Sequence, residues 1–321
     1  MDTTPQNIWQ PDHLGSGYEM THITQPDDYS GHVRCTVIRR LSSAESRNAI
    51  LYVHGFSDYF LQKEMADEFV SHGYNFYAVD LRKYGRSLMP GQKMFQVRNL
   101  QEYFADIDAA IKIIHSDNNT RIILMGHSTG GLTTSLYMSR KPAPQIKALI
   151  LNSPFLDWNL PSPLRKIGIP LISTLGRITP SIRVRQKPDN RYARTLSSEH
   201  GGEWTYRKEW KPDILPDPDM GWIRAIHSAQ QHLRHNTCQI KVPILLMRSA
   251  ESVKKSDNPE KYYRADAILD TDSIAKYGRK LSDDVTEAIF TGGLHDLALS
   301  PYPIRTELYH TIFTWLASHG L

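Results

Sequence analysis

A chain of 321 residues, 40% hydrophobic and 22% charged, can bury a large core and has the make-up of an ordinary globular protein. Its formal net charge of +4 is slight for that length and gives no case for a nucleic-acid partner. No apolar run approaches the ~18 residues of a transmembrane segment, and the N-terminal MDTTPQNIWQPDHLG has neither the basic nor the apolar region of a signal peptide. Two distant cysteines, Cys35 and Cys238, are expected as reduced thiols in a cytoplasmic protein.

Residues 1 to about 17 read as a loose arm. From Tyr18 to Arg40 the pattern is strand-like, and His32 to Ile38 partly alternates, as an antiparallel strand with one wet face would. After a polar turn, Ser42 to Ser46, the run Ala49-Ile50-Leu51-Tyr52-Val53 is continuously apolar and predicts a strand covered on both faces. It ends at His54-Gly55-Phe56. Phe60 to His72 has helical periodicity and stops at Gly73. Asn75 to Val79 is a second buried strand, ending at Asp80. Asn99 to His115 is a long helix with Phe104, Ile107, Ala110, Ile111 and Ile114 on one stripe.

Arg121 to Leu132, RIILMGHSTGGL, organises the rest. Ile122-Ile123-Leu124-Met125 suits a buried strand, and Gly131 to Met138 reads as a helix. Between them Gly126-His127-Ser128-Thr129-Gly130 matches G-x-S-x-G in the strand–turn–helix context that the motif requires. Such a turn strains the serine backbone, and small residues on either side let strand and helix pass closely. The hydroxyl is left where the first helical N–H groups point. Ile146 to Leu151 is the next strand. Strands and helices alternating this way predict a parallel sheet with helices on both faces.

The rhythm breaks after Leu151. The division expected is a core segment 1–153, an insertion 154–237 rich in Pro, Trp, Arg and Tyr, and a second core segment 238–321. Val242 to Met247 resumes the sheet, a polar loop runs from Glu251 to Arg264, and Ser273 to Leu281 is a helix. Val285 to Phe290 is the last strand; Gly292-Gly293-Leu294-His295-Asp296 follows it, and Ile304 to Ala317 closes as a helix.

Four motifs make the chain resemble the α/β-hydrolase superfamily, and within it the lysophospholipase and monoacylglycerol lipase-like group related to the serine aminopeptidases. They are His54-Gly55-Phe56; Asp80 to Ser87, similar to D-x-R-G-x-G-x-S; Gly126 to Gly131; and Gly293-Leu294-His295. The second departs from the pattern at Lys83, where the family has Gly. The resemblance covers about Tyr18 to the end except the insertion. It implies an α/β fold with a mostly parallel eight-stranded sheet and a cap inserted after the sixth strand.

A serine hydroxyl needs a base to take its proton, and the base needs a third group to fix its tautomer. The fold implies the chain order Ser, Asp, His, with Ser128 as nucleophile and His295, the only histidine of the last loop, as base. The acid is expected at Asp266, in the local pattern Asp266-Ala267-Ile268-Leu269. Asp270 is the alternative, Asp257 a lesser one, because the loop before it is longer than the family's. Asp270 and Asp272 also read as cap or first-turn acids of the following helix. Asp296 reads as structural, His127 as structural, and His54 as a hydrogen-bonding support. Two backbone N–H groups are expected to receive the developing oxyanion: Thr129, after the nucleophile, and by resemblance Phe56. No metal or cofactor motif is present.

Within the insertion, Phe155, Leu156 and Trp158 are candidates for an acyl pocket, as is Ile167 to Leu175; the alternative is that they form the cap's own core. Arg177, Arg183, Arg185, Arg191 and Arg194 make the region basic, suiting an anionic group or simply a solvated face. The expected activity is a serine carboxylic-ester hydrolase acting on small or lipid-like esters. Two alternatives stand beside it: a serine aminopeptidase using Glu199, Glu203 or Glu209 to hold an amino group, and a non-catalytic ligand-binding protein of the same fold.

Overall fold

Apolar runs too short for helices become the strands of one twisted sheet. The computed structural model describes residues 8–43, 45–141, 143–254 and 256–321. Parallel strands β4 (Asn48–Val53), β5 (Asn75–Asp80), β6 (Arg121–His127), β7 (Ile146–Asn152), β8 (Ile244–Ser249) and β9 (Val285–Phe290) make up two-thirds of it. Antiparallel β1 (Gln10–Pro11), β2 (Glu19–Asp28) and β3 (Gly31–Arg40) extend it past β5, giving the order β1-β2-β3-β5-β4-β6-β7-β8-β9.

Side-chain alternation sends each strand into two cores. Leu51, Leu124, Leu149 and Leu246 join one cluster, under α2 (Phe104–Ser116), α3 (Thr129–Arg140) and Ile274 of α7 (Thr271–Gly278). Ile50, Ile123, Ile150 and Leu245 join the other, under α1 (Lys63–Ser71) and α8 (Tyr302–Ser318). Helices on both faces exclude water from the middles of β4, β6 and β7, which explains the apolar runs Ala49–Val53, Ile122–Met125 and Ala148–Leu151. The segment between β7 and β8 carries α4 (Ile169–Leu175), α5 (Arg191–Leu196) and α6 (Met220–His235) and adds no strand to the sheet.

The N-terminal region corrects the expectation of a loose arm and of eight strands. Residues 1–7 lie outside those described, but Gln10 and Pro11 pair with Met20 and Glu19 as a ninth, edge strand. The next residue, Asp12, is buried and accepts from Arg86 Nε (2.6 Å) and Nη2 (2.9 Å); Asp80 accepts from Arg86 Nη1 (2.8 Å). Burial alone would raise the Asp12 carboxyl, but hydrogen bonds from His13 and Arg86 outweigh it and hold it far below the usual carboxylate range. A depressed folded-state pKa contributes stability that is present above the unfolded value near ~3.9 and is lost as pH falls below it. Asp12→Ala should therefore destabilise the fold by about 3 kcal/mol, because it leaves a buried guanidinium with one of its two carboxylates. The shift in denaturation midpoint at neutral pH measures this, and it should shrink in acid.

Lys83, the departure from the family pattern, keeps the left-handed turn that glycine would occupy, at φ 65°. Its fully buried ammonium lies 2.6 Å from Asp28 at the end of β2. The ion pair ties this loop to the antiparallel edge and offsets a backbone strain of about 1 kcal/mol.

Candidate active site

The serine turn is built by close approach. Ser128 sits between β6 and α3 with φ 52° and ψ −116°, a conformation L-residues rarely adopt. A Cβ on Gly126 would come 2.5 Å from Thr134 Oγ1, and one on Gly130 would come 2.2 Å from the Val53 carbonyl oxygen. Only glycine permits the helix to start that near the strands. The turn is held from both sides: Ser128 N–H donates to the Asn152 carbonyl (3.0 Å), and Phe155 N–H donates to the Ser128 carbonyl (2.9 Å).

From this turn a chain of hydrogen bonds runs to the two residues expected as its partners. The Ser128 hydroxyl donates to His295 Nε2 at 3.0 Å, and His295 Nδ1–H donates to Asp266 Oδ2 at 2.9 Å. The other Asp266 oxygen accepts the N–H groups of Ile268 and Leu269, each at 2.8 Å. All three side chains are buried. An acceptor-only carboxylate at Nδ1 leaves the neutral imidazole with a free lone pair at Nε2, where the hydroxyl lies.

The alternative acids stand elsewhere. Asp270 occupies the N-cap position of α7, but its carboxylate accepts from the Ser273 hydroxyl (2.6 Å) and makes no side-chain cap hydrogen bond. Asp257 is in the preceding loop, accepting from Lys254 N–H and pairing with Lys261. Asp296 accepts from Asn152, Gln62 and the Ala298 N–H, so it anchors the loop that carries His295. His127 donates from Nδ1 to the Asn152 carbonyl at 3.1 Å, and burial lowers its pKa. His54 donates from Nδ1 to the Gly55 carbonyl and accepts the Leu81 N–H at Nε2, fixing the loop that bears Phe56.

Phe56 and Thr129 border the same cavity as Ser128 and His295, and neither backbone N–H is engaged by another group among the described residues. The cavity has a volume of about 720 Å³. Of the three proposed acyl-pocket residues, Phe155 and Trp158 line it, their rings in edge contact at 5.0 Å. Leu156 does not. Its side chain turns into the main core and a separate crevice beside Leu233 and Tyr277, while its carbonyl accepts from Arg234. The chain turns here, Leu156 N–H donating to the Pro154 carbonyl at 2.9 Å, so these neighbours in sequence do not share one wall.

Sequence reasoning missed Trp222, which packs against Phe56 at 4.4 Å and lines the cavity from α6. The signal was available: Trp222, Ile223, Ile226, Ala229 and Leu233 share the buried side of an amphipathic helix inside the insertion. Lys211 was missed too. It reaches from the insertion to Asp58, 2.8 Å from Oδ1. Burial pushes Asp58 up, but Lys211 outweighs it and holds the carboxyl below its ordinary range. Asp58, His127 and Asp296 bring potential metal-ligating atoms within 4.8 Å of one another. With one carboxylate paired to Lys211 and the other bound by two side-chain amides, a cation there would have to displace existing partners.

The family described as "Serine aminopeptidase, S33" matches residues 44–299. "Phospholipase YtpA" of Bacillus subtilis is 30% identical over 112 residues, which are 35% of this chain and 42% of that protein, so less than half of that relative's length is matched. A soluble variant of the monoglyceride lipase of Saccharomyces cerevisiae, solved with a substrate analog, superposes with a TM-score of 0.67. The match is 16% identical and covers 96% of this chain and 99% of that one. The monoacylglycerol lipase of Paleococcus ferrophilus superposes with a TM-score of 0.64 at 22% identity, covering 88% and 99%. At these identities the structural likeness concerns the fold.

Proposed function

We propose, from the premise that the chain belongs to the serine aminopeptidase S33 family, that it hydrolyses carboxylic esters of small or lipid-like substrates through an acyl-enzyme. The observation that carries this reading is the Ser128–His295–Asp266 hydrogen-bond chain opening into a cavity walled by Phe56, Phe155, Trp158, Ile169 and Trp222. Ser128 Oγ attacks the ester carbonyl as His295 Nε2 takes its proton. Asp266 holds the imidazole in the required tautomer. The N–H groups of Phe56 and Thr129 receive the oxyanion. The imidazolium returns its proton to the leaving alcohol, and a water deprotonated by His295 releases the acid.

The acids that would hold a substrate amino group are committed elsewhere. Glu199 pairs with Lys208, Glu203 with Arg305 and Glu209 with Arg207, and none of them lines the cavity. Of the carboxylates that do line it, Asp58 pairs with Lys211 and Asp189 with Arg191, while Asp213 shares Lys208 with Glu199 and accepts from the Tyr206 hydroxyl. This favours an apolar acyl group over a free ammonium. Comparing a monoacylglycerol with an aminoacyl arylamide tests the choice. Faster turnover of the arylamide would overturn it.

An apolar wall also predicts a chain-length dependence. Each further buried CH₂ should add about 0.8 kcal/mol, roughly fourfold in kcat/KM, until the pocket is full. Trp158→Ala should flatten that slope across an acetyl-to-decanoyl series while leaving acetyl-ester turnover nearly intact. A wild type indifferent to chain length would remove the insertion from substrate selection.

A further inference from the structure

The insertion meets the catalytic loops through a small core of its own. Leu196 of α5 packs with Leu294 and Leu299, which stand on either side of His295, and with Tyr59 and Leu61, just beyond Phe56. Polar contacts close this cluster. Trp204 Nε1–H donates to the Leu299 carbonyl (2.8 Å), Arg207 N–H donates to the Tyr59 hydroxyl (2.9 Å), and Glu203 pairs with Arg305 of α8 (2.7 Å). Between α5 and Trp204 the chain doubles back so closely that a Cβ on Gly202 would lie 2.2 Å from the Leu196 carbonyl carbon. This part of the insertion is therefore bolted to the loops that carry the chemistry.

Tyr192 brings that anchorage to the general base. It stands in the first turn of α5 and borders the cavity. Its ring lies edge-on to the His295 imidazole, with centroids 5.8 Å apart, and its hydroxyl accepts the N–H of Asp296, the residue after the base, at 3.2 Å. The N–H groups of Leu294 and Leu297 go instead to core side chains, the Ser300 hydroxyl (2.9 Å) and Asn152 Oδ1 (3.3 Å). Asp266 fixes the tautomer of the imidazole, but the ring still pivots about its own backbone. What holds the peptide beside it decides where Nε2 points, and one of those holds comes from the insertion.

We propose that Tyr192 is a positioning residue for His295: by holding the Asp296 N–H and the edge of the imidazole, it sets the 3.0 Å reach from Nε2 to the Ser128 hydroxyl. The proposal rests on the serine-hydrolase reading above. It makes the insertion part of the catalytic framework as well as a wall of the pocket. Without the tyrosine oxygen, the Asp296 N–H loses its acceptor in a buried loop. The peptide then turns toward another acceptor and takes the ring with it. A displacement of about 1 Å in a reacting group can cost about 10² in rate.

The test is Tyr192→Phe, which keeps the ring and removes only the oxygen. Its kcat for p-nitrophenyl acetate, counted per phosphonate-titrated Ser128, should fall at least about tenfold, with KM changed by less than about twofold. The same factor should be lost on the decanoyl ester, which a residue that merely lines the acyl pocket would not produce. Combined with Asp266→Asn, Tyr192→Phe should cost less than about twofold more, because both changes act through His295. A merely structural residue would lower both backgrounds by one factor. Ser128→Ala, measured alongside, separates the two readings. If it is inactive while Tyr192→Phe turns over like the parent, the positioning role fails and the hydrolase stands; if Ser128→Ala stays active, the reading beneath both fails. A loss confined to KM, or one fully multiplicative with Asp266→Asn, would also overturn the proposal.

Discussion

Ser128→Ala should lower kcat for a p-nitrophenyl ester by about 10⁶, equivalent to about 8 kcal/mol of transition-state stabilisation, and leave the fold intact. Only the attacking oxygen is removed. The methyl group stays at φ 52°, and the Asn152 and Phe155 hydrogen bonds that hold the turn involve backbone atoms alone. Ser128→Gly should be equally inactive but more stable than Ser128→Ala by about 1 kcal/mol, because glycine adopts this backbone without strain. A gain in stability together with a loss of activity separates a residue strained for chemistry from one that merely fits a turn. A serine-directed phosphonate should label the wild type at Ser128 and neither variant. Labelling elsewhere, or turnover retained in Ser128→Ala, would remove the acyl-enzyme.

The serine turn was legible in sequence because three independent physical signals coincide within twelve residues: an apolar run of strand length, glycines where backbones cross, and a helix start. His295 was legible because the last strand and the closing helix leave one loop and that loop holds one histidine. The antiparallel edge was less so. Gln10 and Pro11 carry no strand pattern, and their pairing is secured by an ion pair between Asp12 and Arg86, 74 positions apart. The insertion was the least legible, for a related reason. Two of its helices, α4 and α5, have only seven and six residues, and the apolar residues of the segment serve three surfaces at once: the cavity through Ile169, the sheet-side core through Ile226, and solvent through Ile167. A single hydrophobic periodicity cannot encode three destinations. Leu156 was misplaced on the same account, since its apolar character fits core and pocket equally well.

Asp266→Asn should lower kcat by about 10⁴ with little change in KM, and the reason lies in which oxygen of the carboxylate is already used. Two backbone N–H groups, of Ile268 and Leu269, point at Oδ1. An asparagine must turn its carbonyl toward them, since its NH₂ would face two donors. That places the NH₂ at the position of Oδ2, 2.9 Å from His295 Nδ1. To accept from it, the imidazole must shed the Nδ1 proton and carry its hydrogen on Nε2, so it no longer accepts from the Ser128 hydroxyl 3.0 Å away. The ring stays in place in the wrong tautomer, which explains why the expected loss is in rate and binding is spared. Asp270→Asn provides the contrast. Its carboxylate accepts from the Ser273 hydroxyl at the start of α7, a contact that an asparagine oxygen reproduces. Its cost should stay below about 1 kcal/mol in stability, with no effect on kcat. Measuring kcat and the unfolding midpoint for both variants decides between them. A large rate loss in Asp270→Asn with Asp266→Asn near wild type would move the acid to Asp270 and break the hydrogen-bond chain on which the mechanism rests.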